Sequence, residues 1–143
     1  MKKSILKGMM VFLFCILAVM LGGQEKASAM EKYVYQNAKK TKVMVELESN
    51  PTTGYEWKYT MNKKGILTCV RDLYEQDEDD SEYPMTGVGG WSKYAFKAKK
   101  AGSVTITFRY ARQWEKTEQD IVLKYKIVTG KNGKIKSVKE LKK

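Results

Sequence analysis

Alternation of apolar and polar residues with a period of two dominates this chain after residue 29, and that pattern points to antiparallel β-structure. Val43, Val45 and Leu47 alternate with Met44, Glu46 and Glu48. Tyr55, Trp57 and Tyr59 alternate with Glu56 and Lys58, and Val104, Ile106, Phe108 and Tyr110 with Thr105, Thr107 and Arg109. Tyr94 and Phe96 form a shorter pair, 66–70 is strand-like, and 121–128 is almost continuous strand former. Successive strand residues point to opposite faces, so each run buries one face and solvates the other. A helical stripe is sustained nowhere between residues 30 and 143.

Turn signals separate the runs at 62–65, 84–90, 99–102 and 131–134. The last holds Asn132-Gly133, a two-residue hairpin signal that predicts pairing of 125–129 with 135–138. About six to eight short strands with frequent turns predict an all-β antiparallel sandwich. Loops then gather at two ends, and alternate loops share an end. Trp57 shares a face with Tyr55 and Tyr59 and is assigned to the core; Trp91 either flanks its glycine-rich loop or packs beneath it. Cys69 is expected to be a small buried hydrophobe. It is the only cysteine after residue 29, which rules out an internal disulfide in the processed chain.

Residues 1–29 read as a secretory signal peptide. Lys2, Lys3 and Lys7 form a basic start, 9–21 is an apolar run, and Ala27-Ser28-Ala29 supplies a small-x-small cleavage pattern before Met30. The run is shorter than the ~20 residues of a membrane span. Cys15 lies deep inside it, without the small residues that a lipid-attachment site needs before it. Residues 30–143 are then one domain, large enough for a single core. The chain is expected to be secreted and monomeric, without stable membrane insertion after cleavage. Removing four lysines and one glutamate with the leader lowers the net charge from +11 to +8. That excess fits a soluble surface or attraction to anionic cell-wall polymers. Helix-turn-helix, zinc and RNA-recognition patterns are missing, which argues against nucleic acid.

The chain contains no histidine, which removes Ser-His and Cys-His nucleophile pairs and the commonest zinc ligand. Residues 75–82 carry six carboxylates but lack EF-hand spacing and its central glycine, so they read as a solvated loop rather than a metal site. No enzyme activity, cofactor or metal is expected.

Three loops carry the recognition signal. Asn50-Pro51-Thr52-Thr53-Gly54-Tyr55 is a turn with few conformations to lose: Asn50 bonds its own backbone, Pro51 fixes φ, and Gly54 accepts positive φ. Gly87-Val88-Gly89-Gly90-Trp91 lets backbone approach another chain without side-chain obstruction. In Arg112-Gln113-Trp114, the indole offers large apolar area at low entropic cost and the guanidinium a fork of donors.

In order and spacing, these three stretches resemble the loop motifs of the chagasin-like inhibitors of papain-type cysteine proteases. Lys99-Lys100-Ala101-Gly102-Ser103-Val104 and Phe108-Arg109-Tyr110-Ala111-Arg112 are similar to that family too. The likeness covers most of 38–128, and the tail after Gly130 extends beyond it. The resemblance implies an immunoglobulin-like sandwich with the loops side by side, forming a wedge for the cleft of a papain-like cysteine protease. It places Thr52 and Thr53 near the catalytic thiol, Gly87–Gly90 along the non-primed groove, and Arg112 and Trp114 on the primed side. Inhibition would be reversible occlusion. The family's third motif usually has proline where this chain has Gln113, which frees the unbound loop by about 0.4–1 kcal/mol. The rival reading is a secreted immunoglobulin-like adhesion or cell-wall/glycan-binding module, which does not need the three motifs together.

Overall fold

The inward members of the alternating runs meet in one core. The structure is a computed structural model that describes residues 30–78 and 87–142. The leader read at 1–29 and part of the acidic stretch (79–82) lie outside the described residues. Eight strands follow in order: β1 (Lys32–Gln36), β2 (Lys42–Ser49), β3 (Glu56–Met61), β4 (Leu67–Gln76), β5 (Gly90–Ala98), β6 (Gly102–Ala111), β7 (Ile121–Thr129) and β8 (Ile135–Leu141). They form two antiparallel four-stranded sheets, ordered β1-β2-β5-β4 and β3-β6-β7-β8. The only helical element described is a single 3-10 turn at Pro51–Thr53. The expected all-β, two-sheet sandwich is therefore what the chain forms.

Val43, Val45 and Leu47 of β2 and Tyr94 and Phe96 of β5 face Val104, Ile106 and Phe108 of β6 and Tyr125 and Ile127 of β7. Aromatic rings bridge the sheets: Tyr94 and Phe96 lie 5.2 and 6.0 Å from Phe108, and Tyr59 lies 5.1 Å from Phe96. Tilted and edge-to-face pairs of this kind add about 0.5–1.5 kcal/mol each beyond their buried area. Trp57 is in the core as expected, 6% exposed, and its indole N–H donates to the Glu48 carbonyl at 2.8 Å.

Four details differ from the sequence reading. β1 was not legible, because most of its residues are exposed and its apolar residues do not form a buried face. β4 runs on to Gln76, so Glu75 is a strand residue paired opposite Trp91, not part of a loop. Cys69 is half-buried rather than buried: it sits at an irregularity between Cys69 and Arg71 on an edge strand, with its thiol 3.1 Å from the Arg71 carbonyl. The β7–β8 hairpin exists, but five residues connect it. Gly130 N–H donates to the Lys134 carbonyl at 2.7 Å and Gly133 takes φ +68°, so Asn132-Gly133 lies inside a wider loop than a two-residue turn.

Chain direction sends the β2–β3, β4–β5 and β6–β7 connections to one end and the remaining four to the other. At that other end Ile135 N–H donates to the Lys40 carbonyl at 2.7 Å, and Lys99 N–H to the Ile66 carbonyl at 2.8 Å.

Phe108→Ala is expected to lower unfolding free energy by about 3–5 kcal/mol, read as a fall in the urea midpoint. Tyr125 has a buried hydroxyl with no hydrogen-bond partner among the described residues, and burial pushes its pKa up to about 12. Removing an unpaired buried polar atom costs little, so Tyr125→Phe is expected to leave the midpoint unchanged or raise it.

Candidate functional site

The β2–β3 loop is closed by its own hydrogen bonds. Asn50 Oδ1 accepts from Thr52 N–H at 3.3 Å, and the Asn50 carbonyl accepts from Thr53 N–H at 3.2 Å and Thr53 Oγ1 at 2.7 Å. Gly54 N–H donates to the Pro51 carbonyl at 3.0 Å, with Gly54 at φ +82° where a side chain is strained. The loop is anchored from below, since Asn50 N–H donates to the Tyr110 hydroxyl at 3.0 Å.

The second loop is stitched to the first. Asn50 Nδ2 donates to the Gly87 carbonyl at 3.1 Å, and Gly87 takes φ +92°. Gly89 lies against the Ser49 carbonyl, where an added Cβ would stand at 3.4 Å. Gly90 is a different case. A Cβ there would stand 2.2 Å from the Glu75 carbonyl, so backbone proximity of β4 and β5 forbids any side chain. Gly90 is buried and serves the fold.

The third loop folds back on the first. Arg112 Nε donates to the Thr53 carbonyl at 3.2 Å, its Nη1 donates to Glu115 Oε1 at 2.8 Å, and its guanidinium lies 4.8 Å from the centre of the Tyr55 ring. The Trp114 ring passes over Gly54, whose absent Cβ would come within 2.7 Å of it. Trp114 is nevertheless 71% exposed, the largest exposure of any big apolar side chain among the described residues. Gln113 is exposed beside it. At the base of this loop the Tyr55 and Thr117 hydroxyls are 3.2 Å apart, and Arg109 pairs with Asp120. That guanidinium, helped by the Thr117 hydroxyl, holds the Asp120 carboxyl below its ordinary pKa.

Of the residues singled out from sequence, the structure joins Asn50, Pro51, Thr52, Thr53, Gly54 and Tyr55 with Gly87, Arg112 and Trp114 in one connected cluster, with Val88 and Gly89 in the second loop and Gln113 in the third. Trp91 is not part of it. Its side chain packs on Tyr33 of β1, with ring centres 5.4 Å apart. Sequence reasoning gave no site role to Tyr110, Glu115 or Thr117. An opposite charge three residues after Arg112 was a visible signal for Glu115; the polar tasks of Tyr110 and Thr117 depend on contacts distant in sequence.

The site is thus a hydrogen-bonded three-loop tip on a β-sandwich, with one large exposed aromatic at Trp114. The sequence profile of the chagasin family peptidase inhibitors, I42, matches residues 37–128, which include all three loops. The chain belongs to this family and is an inhibitor rather than an enzyme. The crystal structure of the cysteine protease inhibitor EhICP2 from Entamoeba histolytica is similar, with a TM-score of 0.51 and 28% identity over 59% of this chain and 75% of that one. The solution structure of amebosin gives a TM-score of 0.46 and 25% identity over 58% and 74% of the two chains. Curated proteins show no match to this sequence.

Gly54→Ala combines strained φ with a clash against Trp114, and is expected to cost at least about 1 kcal/mol in the urea midpoint. Asp120 has a folded pKa below its unfolded value near ~3.9, so its stabilising effect is full above that pH and lost as pH falls through the lowered value. Asp120→Asn is expected to be less stable than the parent at neutral pH, with the difference vanishing in strong acid when midpoints are compared across pH.

Proposed function

We propose that the chain is exported and blocks papain-like cysteine proteases by filling their active-site cleft with the three-loop tip. The observation that carries this reading is the convergence of Thr53, Gly54, Gly87, Arg112 and Trp114 through direct contacts, in a member of an inhibitor family. A similar solved protein is described as a cysteine protease inhibitor. The Pro51–Gly54 turn lies across the catalytic thiol. A bent turn holds no extended carbonyl in attack geometry, so it is not cut. The Gly87–Gly89 backbone lines the non-primed groove, and Trp114 supplies the apolar anchor on the primed side. Because the loop is already held by its own hydrogen bonds, little conformational entropy is lost on docking.

Arg112 acts mainly from inside. Its donors are engaged by Thr53 and Glu115 and its plane covers Tyr55, so it fixes the first and third loops relative to each other.

Titration of papain with the purified protein is expected to give tight, reversible inhibition. Trp114→Ala, which removes a central aromatic anchor, should raise the inhibition constant about 30-fold or more, corresponding to ~2 kcal/mol. Thr53→Ala should also weaken inhibition, and Lys142→Ala should leave it unchanged. A protein that leaves papain and a panel of related proteases untouched at micromolar concentration would overturn the reading.

A further inference from the structure

Three of the exposed large apolar side chains, Val70, Leu73 and Tyr74, lie on one strand, β4, and β4 is the outer strand of its sheet. Its other edge meets no strand among the described residues. Native proteins usually blunt such an edge with charges or a bulge. Here the irregularity between Cys69 and Arg71 does so for the first half, while 71–76 continue in regular register with β5.

Asp77 N–H donates to the Gly89 carbonyl at 3.0 Å, so Asp77 and Gly89 are a bonded pair. Antiparallel ladders alternate bonded and non-bonded pairs. Counting back, Glu75 with Trp91 and Leu73 with Lys93 are bonded pairs, and Leu73 turns its backbone groups inward to β5. Asp72, Tyr74 and Gln76 therefore turn theirs out, to the open edge.

We propose that β4 pairs antiparallel with β4 of a second copy of this chain, about a two-fold axis through Leu73. Faces of a continuous sheet are preserved by such an axis, and the register satisfies each requirement together. Leu73 meets Leu73, both on the outer face and 44% exposed in the isolated chain. Arg71 meets Glu75 of the second copy on the same face, twice by symmetry. Asp72 and Tyr74 form the two bonded pairs with their exposed N–H and C=O groups. An axis through Asp72 would instead oppose two aspartates. The Glu75 carboxylate, held by Lys93 at 2.7 Å, retains acceptor sites for the added guanidinium. The bulge limits the pairing to a few residues, so the buried area falls below the ~1,200 Å² of a stable complex and the dimer is weak and concentration-dependent. The proposed dimer differs from the monomer expected from sequence. The two inhibitory tips point in opposite directions, because the paired strands are antiparallel.

The register makes Leu73·Leu73 a non-bonded pair with Cα atoms about 4.5 Å apart, within disulfide reach. In a Cys15→Ser/Cys69→Ser background, Leu73→Cys is expected to oxidise to a linked dimer about tenfold faster than Lys124→Cys, an exposed control on the other sheet. Adding Arg71→Glu should slow the reaction, and adding Glu75→Arg to that variant should restore it. The unmodified chain should show a concentration-dependent rise in mass by sedimentation. Equal rates for Leu73→Cys and Lys124→Cys, faster linking through Asp72→Cys, or a constant monomer mass at all concentrations would each overturn the proposal.

Discussion

Tyr110 ties the interior of this protein to its three-loop tip. Its ring lies in the upper core, 5.0 Å from Trp57 and 5.4 Å from Tyr55, and its hydroxyl receives the Asn50 N–H. One side chain thus converts core packing into a fixed height and tilt for the first loop. The other two loops are then referenced to that loop: the second through the Asn50 amide, the third through the Thr53 carbonyl. The first loop, on which the other two rest, is thus anchored to the core through Tyr110.

The fold was legible where one sheet face is buried and the other wet, because burial then imposes a period of two. β2, β3 and β6 show it plainly. It failed at β1 and at the far half of β4, where both faces meet solvent and nothing selects apolar residues at alternate positions. The loops were legible because turn chemistry is local: Asn50, Pro51 and Gly54 state their geometry within a few residues. Glycines were read less well. Gly87 and Gly54 sit at positive φ as turn glycines should, but Gly90 is glycine because a neighbouring strand leaves no room for Cβ. A constraint between residues 75 and 90 leaves no trace in local sequence. The place of Trp91 stayed open for the same reason, since its partner Tyr33 lies on the strand that the pattern did not show.

Gln113 stands where proline would have limited the unbound third loop. The structure supplies stiffness by another route. Arg112 is bound on both sides, by Thr53 and by Glu115, and Trp114 is seated over Gly54. Restricting a backbone by side-chain contacts differs physically from restricting it by a ring, because the contacts weaken with heat and the ring does not.

The half-buried Cys69 is the only cysteine in the sandwich, and packing with a few hydrogen bonds, not a disulfide, holds the two sheets together. Thiol proteases work only while their nucleophile stays reduced. An antagonist stapled by cystines would risk losing its shape in the medium that keeps such enzymes awake. This architecture is indifferent to reductant, so the conditions that arm the target leave its antagonist intact.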